Sequence, residues 1–456
     1  MLFNSQAFVL LFLPAVLAAY YAARSRQQRQ AVLVTASLLF YAGWDVRFVP
    51  ALMGLTVANW AVARLWGAVR RDWILVAAVV MNLMVLGVCK YANFLGANLA
   101  EALGTTWTHL PIILPLGISF FTFQKISYLV DLRRGDRHIY GLLEFAAFVT
   151  FFPALIAGPL VRHNEMIPQF ARDPRDAAMW ENLSRGAVLF TIGFAKKVGL
   201  ADTLALTCDP AFAHAASGAI GTAEAWTGAA AYALQIFFDF SGYSDMAIGI
   251  GLMFGLRLPF NFDAPYRATS IRDFWRRWHI TLSRFLRDYV YVPLGGNRAG
   301  PWRQAVNVVA TMLLGGLWHG AAWTFVAWGG LHGLALAFNG AAVRRRWHLP
   351  SVVAWPSTLL FVVLAWVLFR APDFATAARI YQGMAGLSGP GHARVDSPAV
   401  AALAVLVALV GPASQTVALQ RLPPRGWVAG AAGIALAGLL LLAGGRVPNE
   451  FIYFQF

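Results

Sequence analysis

The chain has 456 residues, 59% of them hydrophobic and only 12% charged, about half the charged share of a usual soluble domain. A soluble fold of that size would lack the polar surface to stay dispersed, and disorder, which goes with scarce apolar residues and abundant charge, is excluded too. At roughly 20 residues per span such a chain can cross a bilayer about ten to twelve times, so it reads as an all-α polytopic membrane protein. Its formal net charge of +15 comes from 32 Arg and 4 Lys set against 21 acidic residues. In a soluble protein that surplus would point to nucleic acid. Here cytoplasmic loops that collect basic residues account for it, and no nucleic-acid partner is expected. Two thiols, Cys89 and Cys208, imply no disulfide framework. The first apolar stretch has no basic region ahead of it, so it is expected to be kept as a span rather than cleaved.

In chain order, charge-free stretches run over 1–23, 30–44, 48–63, 73–89, 102–124, 145–161, 304–343, 347–369, 397–420 and 426–445. Weaker candidates lie at 183–201 and 225–256. One straight helix over 304–343 would be about 60 Å long, twice the hydrocarbon thickness. That run is therefore expected to form a buried hairpin or helix pair turning near Gly320. Basic clusters at Arg24–Arg29, Arg64–Arg71 and Arg133–Arg137 recur every two spans, and Arg344–Arg346 and Arg421/Arg425 fit the same side. This alternation places the N-terminus outside, these loops in the cytoplasm and residues 446–456 outside. No soluble region of useful size interrupts the spans, so 1–456 is expected to be a single membrane domain.

Segment 151–163, FFPALIAGPLVRH, carries Pro153, Gly158 and Pro159, which argues for a kinked or re-entrant element. Such backbone is tolerated only where protein or water satisfies it, so a cavity is implied. Asp239 and Asp245, in IFFDFSGYSDMAIG, place carboxylates in apolar company. They either line an aqueous path or cap a broken helix.

Segment 257–303 holds nine Arg and three Asp among aromatics. Ser270 followed by Asp273 reads as a helix start. Ile271, Phe274, Trp275, Trp278, Leu282, Phe285, Leu286 and Tyr289 then recur at helical spacing, with Arg276, Arg277, Arg284 and Arg287 outside the stripe. The expectation is one basic amphipathic helix on the cytoplasmic membrane face, stopped at Pro293. Its arginines suit an anionic substrate, such as a coenzyme A phosphate, or anionic membrane lipid, and spacing does not separate the two. His279, at the margin of the stripe, is either an interfacial histidine or a polar group turned toward a cavity.

His319, in LLGGLWHGAAW, and His332, in WGGLHGLAL, fall inside the longest charge-free run. An ionisable side chain at membrane depth is costly and marks a candidate functional site. Neutral imidazole suits general acid–base work, and Gly315, Gly316 and Gly320 allow close backbone approach beside it. The competing reading is a histidine bonded to a carbonyl between helices. His109 and His138, His163, His214, His348 and His392 read as solvated or interfacial. No GxSxG, Walker A, HExxH or CxxC pattern occurs, so serine-elbow hydrolases, P-loop motors and thiol-held metal sites have no support and no metal is expected.

These segments together resemble the membrane-bound O-acyltransferase (MBOAT) family, in its bacterial alginate O-acetylase branch. The likeness rests on FFPALIAGPLVRHNEMIPQF (151–170), DFSGYSDMAIGIG (239–251), FNFDAPYRATSIRDFWRRWHITLSRFLRDYVYVPLGGNR (260–298), GLWHGAAWTFVAWGGLHGL (316–334) and FIYFQF (451–456). RDYVYVPLGGNR favours this branch over the D-alanyl transferase branch. The resemblance implies a multi-helix bundle with a tunnel or funnel, carrying an acyl group from a cytoplasmic thioester to an outside acceptor. It maps the family histidine onto His319 and the second signature position onto His279, 40 residues upstream.

On that resemblance, His319 is the expected general base, with His279 orienting it or stabilising the tetrahedral oxyanion. Trp318, His332, Asp239, Asp245 and Asp288 are tunnel-lining or supporting candidates, and Arg276, Arg277, Arg284 and Arg287 are donor-binding candidates. Tyr453, in an F-x-Y-x-x-F pattern, is the candidate acyl carrier; the competing reading is an aromatic belt. No bound cofactor is expected, with acetyl-CoA or an acyl-carrier thioester as substrate. The implied partners are an extracytoplasmic SGNH-type acetyltransferase and, indirectly, an exported alginate-like polysaccharide. The implied location is the bacterial inner membrane. A D-alanyl or other acyl transferase and a proton-coupled transporter or flippase are the alternatives.

Overall fold

A computed structural model describes residues 2–298, 300–444 and 450–452. Among these, every regular element is a helix and no strand occurs. In chain order they include α1 (Leu13–Ala22), α2 (Arg26–Asp45), α3 (Val49–Val69), α4 (Asp72–Ala102), α5 (Ile118–Arg133), α6 (Leu142–Thr150), α7 (Met179–Phe194), α8 (Asp202–Ser217) and α9 (Thr222–Met253). There follow α10 (Ile271–Arg277), α11 (Ile280–Leu286), α12 (Gly300–His319), α13 (Trp323–Arg344), α14 (Ser351–Arg370), α15 (Phe374–Met384), α16 (Pro398–Leu409) and, after a short bent stretch, α17 (Gly426–Gly444).

By length and apolarity, five helical stretches can cross a membrane: Arg26–Val69, Asp72–Ala102, Trp323–Arg344, Ser351–Arg370 and Gly426–Gly444. Pro398–Leu409 and Ser414–Arg421, bent by 77°, make a sixth if counted as one span. The protein is therefore multi-pass, although its described residues hold fewer full-length spans than the charge-free stretches suggested. The reason is local. Residues 105–115 are non-helical and α5 begins only after Gly117, at φ +73°. A Cβ on Gly117 would stand 2.6 Å from the Leu155 carbonyl oxygen, so the 102–124 stretch cannot be one straight helix. Likewise 145–161 holds the end of α6, one turn at Phe152–Leu155, and buried irregular backbone to Val161.

The chain divides into two compact units. One comprises Met1–Ile192, Tyr243–Pro259 and Ala418–Glu450. Its core gathers Phe3, Phe8, Phe40 and Phe152, with ring centroids 4.9 to 5.4 Å apart for the closest pairs. His163, expected to be solvated or interfacial, is fully buried here. Its Nδ1 meets the Tyr140 hydroxyl at 3.1 Å and its Nε2 meets the Asp131 carboxylate at 3.3 Å. Those polar partners are what make its burial tolerable.

The second unit comprises Gly193–Gly242, Phe260–Val417 and Phe451–Phe456. Its centre is the antiparallel pair α12 and α13, joined across Gly320–Ala322, as a hairpin turning near Gly320 requires. α12 starts at Gly300, so the last residues of the 257–303 segment are already helical. Glycines set the spacing of the pair. A Cβ on Gly316 would lie 2.2 Å from the Phe325 carbonyl oxygen, and one on Gly329 would lie 2.2 Å from that of Met312. Only glycine lets the two backbones approach this closely.

Candidate active site

The expected single amphipathic helix over 271–289 is broken. Ser270 does cap α10, its hydroxyl accepting from the Asp273 amide at 3.1 Å. The helix then ends at Arg277; Trp278 is extended, and His279 sits at φ 42°, ψ 53° before α11 begins. A non-glycine residue in this left-handed region costs about 1 kcal/mol, so the surroundings must hold it. Segment 261–263 does so by hydrogen-bonding into the gap: the Asp263 amide donates to the Arg277 carbonyl at 2.9 Å, and the Ile280 amide donates to that of Asn261 at 3.0 Å. Helical periodicity is blind to such a break, because the apolar stripe continues through it.

Asn261 also fixes the state of His279. Its Oδ1 accepts the Thr281 amide at 3.2 Å and the Thr281 hydroxyl at 3.0 Å, and lies 3.1 Å from His279 Nδ1. A backbone amide can only donate, so the atom facing it is the carbonyl oxygen, and His279 must donate from Nδ1. The neutral ring therefore carries its lone pair on Nε2. His279 is completely buried, and burial pushes its imidazole down to about 3, so it is neutral at physiological pH. The Phe240 ring meets it edge to face at 4.6 Å.

His319 is the last residue of α12 and is 4% exposed. Trp328, Phe369 and Trp318 surround it, at ring-centroid distances of 5.2, 5.1 and 4.8 Å. Trp318 also lies 6.2 Å from His279, so one indole ring neighbours both histidines. Gly315 faces Leu286 of α11, where an added Cβ would come within 3.2 Å. His332 is buried one helical turn beyond Trp328, and its Nδ1 accepts from Trp275 Nε1 at 3.2 Å. The Trp328 ring neighbours both His332 and His319, at centroid distances of 4.8 and 5.2 Å.

The remaining candidates fall into different settings. Asp239 and Asp245 are both buried on α9, which runs unbroken from Thr222 to Met253, so neither caps a broken helix. Asp239 meets Lys197 at 2.6 Å, and Lys197 also meets Asp202 at 2.8 Å. Asp288 pairs with Arg287 at 2.6 Å, and Arg277 pairs with Asp273 at 3.0 Å. Arg276 and Arg287 are exposed, whereas Arg277 and Arg284 are half-buried. Tyr453 lies outside the described residues, but the two residues before it are buried: Phe451 packs on Phe240 at 5.6 Å, and the Ile452 amide donates to Asp239 at 2.8 Å.

Sequence reading missed Asn261 and Lys197. Asn261 carries a weak signal, a lone amide between two aromatics in FNF. Lys197 carries a better one, as one of only four lysines and set in an apolar run.

The MBOAT, membrane-bound O-acyltransferase family model matches residues 73–372. The chain is 40% identical over 427 residues to a "Peptidoglycan O-acetyltransferase" of Helicobacter pylori, covering 85% of this chain and 80% of that protein. It is 44% identical over 397 residues to a "Probable alginate O-acetylase AlgI" of Pseudomonas aeruginosa, covering 84% and 75%. A "Teichoic acid D-alanyltransferase" of Streptococcus thermophilus is 31% identical over 240 residues, covering 51% and 58%. On these matches, and in line with its multi-pass helical architecture, the chain is an acyltransferase that belongs to the membrane-bound O-acyltransferase family.

Proposed function

We propose that this enzyme moves an acetyl group from a cytoplasmic thioester to an acceptor on the far side of a bacterial inner membrane, serving O-acetylation of an exported polysaccharide. The observation that supports this reading is that one indole ring, Trp318, neighbours both the buried His279, which Asn261 holds in one tautomer, and His319. The two relatives matched over most of the chain are named for O-acetylation, one of peptidoglycan and one of alginate. The relative named for D-alanyl transfer matches only 51% of the chain, and acetyl is the favoured group.

In the proposed reaction, an acceptor hydroxyl attacks the thioester carbonyl carbon. Its proton passes to a histidine, the carbon–sulfur bond breaks, and the proton is returned to the leaving thiolate. His319 is the general base. Because Nδ1 of the neutral His279 donates to Asn261, its Nε2 is an acceptor, which suits orienting a hydroxyl donor better than donating to an oxyanion. The aromatic wall around His319 keeps bulk water from hydrolysing the donor. Tyr453 is the acceptor hydroxyl in this scheme, and a separate extracytoplasmic transferase of the SGNH type then moves the acetyl group to sugar. Arg276, Arg277, Arg284 and Arg287 are the side chains proposed to meet the donor's phosphates.

Purified protein in nanodiscs, given radiolabelled acetyl-CoA and the extracytoplasmic transferase with a soluble glycan, tests this reading. Acetyl ester on the glycan, lost in His319→Ala, is the expected result. Transport of a solute without thioester cleavage would instead identify a transporter, and cleavage only of a D-alanyl carrier thioester would change the transferred group.

A further inference from the structure

Apart from His279 and His319, the densest buried charge among the described residues of the second unit is Lys197 with Asp239 and Asp202. Their side chains are only 5%, 2% and 13% exposed. A buried ion pair seldom repays its desolvation, so its presence calls for a reason other than stability. The two oxygens of Asp239 do different things. Oδ1 receives Lys197 at 2.6 Å, whereas Oδ2 receives the backbone amide of Ile452 at 2.8 Å. A carboxylate held by a cation on one side thus grips main chain on the other, and this grip is independent of which side chain stands at 452.

Two further contacts orient the gripped segment. Phe451 is 2% exposed and packs at a tilt on Phe240, which in turn meets His279 edge to face at 4.6 Å. Gly242, less than one helical turn beyond Asp239 on α9, lets the lysine-bearing chain come close, since a Cβ there would stand 2.7 Å from the Gly193 carbonyl oxygen and 3.1 Å from the Lys197 amide. We infer that Lys197 and Asp239 are positioning residues that clamp the main chain at Ile452, and that acyl transfer to the next residue in the chain depends on this clamp. The inference rests on the reading above in which Tyr453 accepts the acyl group. Asp202 keeps Lys197 paired when Asp239 is removed, so Asp239→Ala leaves no buried cation without a partner.

Hydrogen–deuterium exchange of the full-length protein in nanodiscs, read on peptides covering 450–456, tests the clamp directly. Asp239→Ala and Ile452→Pro act from opposite ends of the same bond, and Ile452→Pro leaves the ion pair intact. Each is expected to speed exchange of that peptide at least about tenfold, with the double variant no faster than the singles and with peptides around His279 unchanged. Asp239→Asn, which keeps an acceptor oxygen, is expected to restore most of the protection. Acetylation of Tyr453 from acetyl-CoA should fall at least about tenfold in Asp239→Ala at an unchanged KM. Unaltered exchange in both single variants overturns the clamp. Released exchange with undiminished Tyr453 acetylation overturns its positioning role. If Tyr453→Phe still supports full glycan acetylation while Asp239→Ala releases the segment, the carrier reading fails and the clamp stands.

Discussion

Oδ1 of Asn261 stands 3.1 Å from Nδ1 of His279 and takes the Thr281 amide as well. One amide side chain therefore caps the start of α11, supports a left-handed histidine and sets that histidine's tautomer. Asn261→Leu removes all three functions. Acyl transfer is expected to fall by about 100-fold or more, measured as turnover of acetyl-CoA by protein that remains monodisperse. Asn261→Asp retains the acceptor and adds a negative charge, which raises the pKa of His279. Its activity should therefore show an acid limb displaced toward neutral pH relative to the parent.

The buried neutral state of His279 has a consequence for stability. Its folded-state pKa of about 3 lies below the ordinary value of 6.5. The unfolded chain thus binds the extra proton first as pH falls. The favourable contribution is complete above about pH 6.5 and is lost between there and about pH 3, at roughly 1.4 kcal/mol per unit. Thermal unfolding in detergent should show His279→Gly losing less stability than the parent between pH 6.5 and 4. Equal losses would mean that another group controls the acid limb. Glycine is the suitable replacement, because it accepts φ 42° without strain.

Packing of α12 on α13 gives a prediction free of chemistry. An alanine at Gly316 or Gly329 would drive a methyl group to 2.2 Å from backbone oxygen, which no rotamer change relieves. Each variant is expected to lose about 1–3 kcal/mol or more and to fold poorly. Gly330→Ala, whose nearest neighbour is a Leu313 methyl at 3.3 Å, should be mild by comparison. Melting temperatures of the three variants decide this.

Tyr453 gives a third kind of test. Intact-protein and peptide mass spectrometry after incubation with acetyl-CoA should find an added acetyl group at Tyr453. In Tyr453→Phe that group should be absent and glycan acetylation should be lost. Full glycan acetylation by Tyr453→Phe would remove the tyrosine from the pathway.

Much of this was legible in the residues. The membrane class followed from composition, and the α12–α13 turn near Gly320 from the length of one charge-free run. What stayed hidden depended on contacts distant in sequence. The break at His279 exists because Asn261 and Asp263 hydrogen-bond into it, 14 to 20 positions away, while the apolar period of the helix continues undisturbed. His163 read as interfacial because its neighbours in sequence are polar; its partners Asp131 and Tyr140 come from elsewhere in the chain. Lys197, similarly, reads as a flaw in a span until Asp239 is seen opposite it.

Joint action of His319 and His279 in acyl transfer is decided by single-turnover acetyl transfer from radiolabelled acetyl-CoA. His319→Ala and His279→Gly, each verified as folded by thermal unfolding, are compared with the parent and with the double variant. Each single variant is expected to lose transfer by at least about 100-fold, with the double variant little worse than either. Transfer at parental rate in folded His319→Ala would contradict joint action.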